Sequence, residues 1–174
     1  MAVEIERKFL LCNEDWRQQV STSQRMSQGY LGSLPVGGED HGRSSVRVRI
    51  AGEQAQINIK SREAGHTRLE FEYPIPLPDA QKMLAECANQ GIEKIRHWIP
   101  LGNLVVEVDE FLATNKGLVV AEVELTEATQ VIPEVAWLGL EVTERLQDYN
   151  TELAKRPFTQ WSPAEQQAYK NHYE

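Results

Sequence analysis

The chain has 174 residues, enough for one globular domain with its own core. Its 18 Lys and Arg against 26 Asp and Glu give a formal charge of −8, the wrong sign for a protein that neutralises bulk nucleic acid. With 41% hydrophobic and 25% charged residues, it is neither a disordered chain nor a fibrous repeat. No apolar run is long enough for a membrane-spanning helix. The N-terminal Met1-Ala2-Val3-Glu4-Ile5-Glu6-Arg7-Lys8 lacks the apolar core of a signal peptide, and Cys12 and Cys87 have no metal-type spacing. These features predict one cytoplasmic domain over residues 1–174, without membrane or bulk nucleic-acid partners; a homodimer is compatible with them.

In chain order, a strand is expected over Val3–Leu11, and the capping-type Asn13 opens a helix that runs to Val20. A second strand lies near Met26–Leu31. The glycine- and acid-rich stretch Pro35–Gly42 reads as a mobile loop. Val46–Ile50 and Ile57–Lys60 flank Ala51-Gly52-Glu53 as a hairpin. Leu69–Ile75 is another alternating run, stopped by Pro74, Pro76 and Pro78. Asp79–Gln90 places Ala80, Met83, Leu84, Cys87 and Ala88 on one helical face and meets Gly91 as a stop. Ile92–Ile99 and Leu104–Phe111 form a second hairpin, and Leu118–Thr126 follows the turn Asn115-Lys116-Gly117. A short helix is expected over Tyr149–Lys155. Ser162-Pro163-Ala164-Glu165 combines a capping box with proline at the first helical position. The sum is about eight strands over residues 2–126 and a helical segment over 145–174.

Alternation decides which side chains share a face, because residues i and i+2 of a strand point the same way. Glu4, Glu6 and Lys8 project together, opposite Val3 and Ile5. Ser45, Arg47 and Arg49 oppose Val46, Val48 and Ile50. Lys60 lies with Gln56 and Asn58; Arg68 with Glu70 and Glu72; Lys94 with Arg96; Glu107 with Asp109; Glu122 with Glu124. A half-buried strand normally turns its polar face to water, which accounts for any one of these runs alone. Seven together, charged with both signs, suit a sheet that closes into a barrel. Helices would then cover the apolar exterior and the charges would line the inside. Basic groups there would hold phosphoryl oxygens, and carboxylates would hold hard divalent ions.

Glu4-Ile5-Glu6-Arg7-Lys8 resembles the N-terminal signature of the CYTH superfamily, the triphosphate tunnel metalloenzymes. The ordered set that follows strengthens the likeness: Arg47-Val48-Arg49, Lys60, Glu70-Phe71-Glu72, Lys94-Ile95-Arg96, Val108-Asp109 and Glu122-Val123-Glu124. Tyr149-Asn150 with Leu153-Ala154 resembles the family's C-terminal segment. The resemblance implies an α+β fold, a closed or nearly closed eight-stranded antiparallel β-barrel with helices packed outside. It implies Mg²⁺- or Mn²⁺-dependent hydrolysis of a small triphosphate or polyphosphate, foremost tripolyphosphate to pyrophosphate and phosphate. A class IV adenylate cyclase, a thiamine triphosphatase and a non-catalytic polyphosphate-binding module are the alternatives it leaves open.

By the same resemblance, Lys8, Arg47, Arg49, Lys60, Lys94 and Arg96 grip the triphosphate. Glu4, Glu6, Glu122 and Glu124 are the expected metal ligands, with Glu70, Glu72 and Asp109 as further ones. For Arg68 and Glu107 a structural ion pair is the rival reading and is preferred to a ligand role. Tyr30, which follows Gln28-Gly29, is expected to pair with Lys60 and deprotonate the attacking water, an ordinary packed tyrosine being the alternative. His41, His66, His97 and His172 share no ligand spacing and receive no metal role.

Overall fold

The computed structural model describes residues 2–31, 44–61 and 67–170. Nine strands form one antiparallel sheet: β1 (Ala2–Leu11), β2 (Thr22–Leu31), β3 (Ser44–Ala51), β4 (Gln54–Ser61), β5 (Thr67–Pro74), β6 (Ala88–Leu101), β7 (Leu104–Phe111), β8 (Val119–Leu125) and β9 (Leu138–Glu141). Their order is β5-β4-β3-β2-β6-β7-β8-β1-β9, with a further pairing of β5 to β1. The helices are α1 (Leu77–Glu86), α2 (Asn150–Lys155) and α3 (Pro163–Lys170). No described helix is long and apolar enough to cross a membrane.

The expected closed or nearly closed eight-stranded barrel is corrected: among the described residues nine strands form one sheet, and it is not closed. One edge of β1 pairs with β8 over Ile5–Phe9. The opposite edge is divided. Ala2–Ile5 pair with Glu70–Thr67 of β5, whereas Phe9 and Leu11 pair with Glu141 and Leu138 of β9. Among the described residues, β1 has no strand partner on that side between these two stretches. There the Lys8 amide donates to Thr143 Oγ1 at 3.0 Å, and the Val142 amide donates to the Lys8 carbonyl at 2.8 Å. The backbone of Lys8 is thus fixed by the segment that follows β9. Leu138-Gly139-Leu140-Glu141 escaped the sequence reading because four residues are too few to show a period.

Two helix boundaries differ from expectation. The helix expected over Asp79–Gln90 starts at Leu77 and ends at Glu86, because Ala88 already pairs with Leu31 as the start of β6. Gly91 therefore sits within a strand rather than stopping a helix. The segment after Asn13 forms only a short 3-10 turn, Asp15–Gln19. The expected Pro35–Gly42 loop lies outside the described residues, as do His41, His66 and His172.

The apolar side chains separate into three clusters. Val48 and Ala55 on the outer face of β3 and β4 meet Ala80, Leu77, Met83 and Leu84 of α1. Phe9, Leu11, Val106, Val108, Ala121 and Val123 form a second outer cluster, covered by Trp16 and Trp137. The third cluster lies on the inner face and corrects the expectation that all helices pack outside. Leu10, Ile92, Phe111 and Val120 follow the same alternation as Lys8, Lys94, Asp109 and Glu122, yet they are apolar. They are buried with Leu153, Ala154, Phe158, Trp161 and Tyr169, so the C-terminal helical segment packs against the inner face. Each large side chain fully buried in this way contributes about 1.5–3 kcal/mol.

The attachment of β9 makes a test of the seam. A Cβ built on Gly139 would lie 2.7 Å from Cys12 Sγ and 3.0 Å from the Leu10 carbonyl oxygen. Gly139→Ala should destabilise the fold by about 1–3 kcal/mol, the usual cost of overpacking, as measured by urea denaturation.

Candidate active site

The inner face encloses a cavity of about 430 Å³. Glu6 and Lys8 of β1, Arg47 and Arg49 of β3, Lys60 of β4, Glu70 and Glu72 of β5, and Arg96 of β6 reach it. So do Glu107 of β7 and Glu122 and Glu124 of β8, while Tyr30 of β2 and Ser45 of β3 complete the strand wall. Strands β1 to β8 all contribute, and β1, β3, β5 and β8 do so at alternate positions. Tyr149, Asn150 and Thr151, at the start of α2, form the remaining wall.

Two of the expected phosphate and metal residues lie beneath this wall. Lys94 and Asp109 are each about 1% exposed and bonded to one another. Asp109 also takes two bonds from Arg96, to Nε at 2.7 Å and Nη2 at 2.6 Å. The side chains of Glu4 and Arg68 fall outside what is described. Tyr149, Asn150 and Thr151 received no site role from the sequence. The likeness of Tyr149-Asn150 to the family's C-terminal segment was the signal that could have found them.

Arg96 is the hub. Besides Asp109, it binds Glu107 and reaches Glu122 Oε2 at 2.8 Å. Glu122 also takes a bond from Lys8, whose ammonium lies 3.4 Å from Glu6. Burial alone would push Glu122 and Asp109 up. For Glu122 that effect is outweighed by Lys8, Arg96 and Lys94, which hold it well below the usual carboxylate range. For Asp109, Arg96 and Lys94 do the same. The Arg96 guanidinium, though buried, is held far into its charged form by Asp109, Glu122 and Glu107. Lys8, also buried, is raised by Glu122 and Glu6.

Across the cavity the balance is reversed. Arg49 is lowered by burial, then by Arg47 and Arg96, with Glu72 and Glu70 only partly compensating. Its bond to Glu72 is 3.3 Å, and Glu72 is shared with Gln56 and Asn58. Arg47 Nε is buried with no hydrogen-bond partner. Lys60 lies 3.5 Å from Glu70. Neighbouring guanidinium groups on one face of β3, with donor capacity to spare, suit an anion. Tyr30 is raised by burial, which exceeds the opposing pull of Arg47 and Lys8. Its hydroxyl is a neutral donor at ordinary pH.

Among the described residues, no three His, Cys, Asp or Glu are grouped tightly enough to make a metal cage by themselves. The cavity nevertheless suits a hard cation. Glu6 stands directly opposite Glu124, and Glu107 opposite Glu122. Like charges directly across a ladder repel. Arg96 already binds both Glu107 and Glu122; between Glu6 and Glu124 an oxygen-seeking divalent ion would relieve that repulsion, and the donor set is all carboxylate.

The CYTH domain model matches residues 2–158 of this sequence. The chain belongs to the CYTH family. It is 35% identical over 159 residues to an inorganic triphosphatase of Acetivibrio thermocellus, covering 91% of this chain and 97% of that protein. Its fold is similar to the crystal structure of the inorganic triphosphatase NE1496, with a TM-score of 0.62 and 26% identity over 88% of this chain and 95% of that one. The PH1012 protein of Pyrococcus horikoshii OT3 shares the fold at 18% identity and a TM-score of 0.55, covering 72% and 79% of the two chains. Residues 2–158 include every strand of this CYTH sheet and α2.

The buried network makes this CYTH domain sensitive to acid. Asp109 and Glu122 titrate lower folded than unfolded, so their stabilisation is complete above about pH 4–4.5, their ordinary range. It is lost as pH falls through their folded values. Asp109→Asn should cost about 3–5 kcal/mol at pH 7, because Lys94 and Arg96 lose a buried partner. It should also flatten the acid limb of the stability–pH curve, measured by chemical denaturation across pH.

Proposed function

We propose that this CYTH protein hydrolyses inorganic tripolyphosphate to pyrophosphate and orthophosphate with the help of a divalent cation. The observation that carries this reading is the cavity itself. Lys8, Arg47, Arg49, Lys60 and Arg96 converge on a space of about 430 Å³, with carboxylates on the opposing strands. The likeness to inorganic triphosphatases supports the same substrate class.

In this scheme the charged inner face of the sheet receives the anion, and the C-terminal segment covers the apolar end of that face. Arg47 and Arg49 take phosphoryl oxygens bidentately, and Lys60 adds a point charge. Arg96 and Lys8 act from the other side, aimed by Asp109 and Glu122. Lys94 supports Arg96 through Asp109 rather than reaching the anion. Tyr30 enters as a neutral phenol beside Arg47, and Lys60 as a phosphate ligand, since burial disfavours the phenolate that a Tyr30–Lys60 base would need.

Glu6, Glu122 and Glu124 would hold the cation, Mg²⁺ or Mn²⁺, with Glu4 beside them on β1 and Glu70 and Glu72 across the cavity. When bound, the ion would neutralise charge on the phosphoryl oxygens. Phosphoryl transfer depends on positioning and charge neutralisation more than on covalent chemistry, which this wall of fixed charges supplies.

Purified protein with Mg²⁺ or Mn²⁺ should release orthophosphate from tripolyphosphate faster than from ATP or thiamine triphosphate, and chelation should abolish the release. Arg49→Ala should lower kcat/KM by about 10²–10³-fold, the scale for removing one charge-stabilising donor. Cyclic AMP from ATP, or tight polyphosphate binding without turnover, would overturn the reading.

A further inference from the structure

Lys8 carries its charge at the end of a flexible four-carbon stem, so the direction of that charge is set by what surrounds it. The ammonium has three donors. Glu122 takes one, and Glu6 lies 3.4 Å away. Both carboxylates also belong to the set that would hold the cation, so neither is a dedicated partner of Lys8. The ring of Tyr149 is a contact of another kind. Its centroid lies 5.0 Å from Lys8 Nζ, within the range at which an ammonium is attracted to an aromatic face. That attraction holds the ammonium without cancelling its charge. The ring is itself fixed. Its hydroxyl donates to the Thr143 carbonyl at 2.9 Å, and the Tyr149 carbonyl accepts the Glu152 and Leu153 amides, each at 2.9 Å. Thr143 in turn accepts the Lys8 amide at 3.0 Å through Oγ1. One stretch of chain, residues 143–149, therefore holds Lys8 at its backbone and at its ammonium. Tyr149 and Lys8 border the cavity together.

We infer that Tyr149 is a positioning residue for tripolyphosphate hydrolysis: its ring face aims the Lys8 ammonium at the anion, so the C-terminal segment takes part in the reaction through Lys8. The ring does the aiming, and the hydroxyl keeps the ring in place by its bond to Thr143. An aliphatic side chain at this position would fill the space but offer no negative face to the ammonium. Lys8 would then turn further toward Glu122 and Glu6, and its charge would serve those carboxylates rather than a phosphoryl oxygen. A misplacement of about 1 Å in a reacting constellation can cost 10²-fold. Here the charge is kept and only its aim is lost, with Arg47, Arg49, Lys60 and Arg96 still in the cavity, so a loss of about 10-fold is expected.

This inference rests on the tripolyphosphate reading, and one set of variants separates the two. Wild type, Tyr149→Phe, Tyr149→Leu and Tyr149→Met are assayed with tripolyphosphate, each alone and combined with Lys8→Met, and thermal midpoints are measured without substrate. Tyr149→Phe keeps the ring and loses the bond to Thr143. Its midpoint should fall while kcat/KM stays within about threefold of wild type. Tyr149→Leu and Tyr149→Met should lower kcat/KM by about 10-fold. In the Lys8→Met background the same two substitutions should cost less than about twofold, because the group they misplace is gone. An inactive wild type sinks the substrate reading. An active wild type with an undiminished loss in the Lys8→Met background overturns the role of Tyr149. So does an equal loss in Tyr149→Phe and Tyr149→Leu, the mark of packing alone, and so does failure of both aliphatic variants to fold. The contrast between Phe and Leu decides the question by itself where Lys8→Met leaves no measurable rate.

Discussion

The structure depends on an inversion of the usual polarity of a sheet. Ionised groups face inward and must be satisfied there, and the bonds of Arg96 to Asp109, Glu107 and Glu122 achieve this on one wall. Two buried charges alone would repay their desolvation poorly. A chain that runs from Lys94 through Asp109, Arg96 and Glu122 to Lys8 offsets it better, because each carboxylate serves more than one cation. The same chain fixes the direction of the two cations, Arg96 and Lys8, that reach the cavity. Preorganisation of this kind gives a site its electrostatic strength before the substrate arrives.

The opposite wall is left short of negative charge. Arg49 feels the charge of both Arg47 and Arg96, and Glu72 is divided among Arg49, Gln56 and Asn58. One side of the cavity is internally balanced and the other is not. In the proposed function a polyanion would complete the second side, and a cation would be held among Glu6, Glu122 and Glu124. The C-terminal segment contributes through packing. Tyr149 lies under the Lys8 ammonium, 5.0 Å from ring centroid to Nζ, and its hydroxyl donates to the Thr143 carbonyl at 2.9 Å. That links the cavity wall to the stretch that fixes the Lys8 backbone.

Period-2 alternation made the inward set readable from sequence. It placed Glu6, Lys8, Arg47, Arg49, Lys60, Glu70, Glu72, Arg96, Glu122 and Glu124 on one surface, where the structure brings them together. Alternation gives a face but not a depth. Lys94 and Arg96 are equivalent by spacing, yet only Arg96 reaches the cavity, because Asp109 holds Lys94 below it. The inner apolar residues Leu10, Ile92, Phe111 and Val120 were in phase with the charged ones, a signal that the inside changes character toward one end. What fills that end comes from residues 153–169, and no local pattern in the strands specifies so distant a partner. β9 was hidden for a related reason, since a four-residue strand exists only through the edge of β1 that it completes.

The most direct test of the central claim is a crystal structure of the protein with tripolyphosphate bound. The account predicts phosphoryl oxygens within hydrogen-bond distance of Arg47, Arg49 and Arg96 on the inner face, with the anion enclosed by the sheet. An anion held only on the outer surface, with those three side chains unchanged and uncontacted, would contradict it.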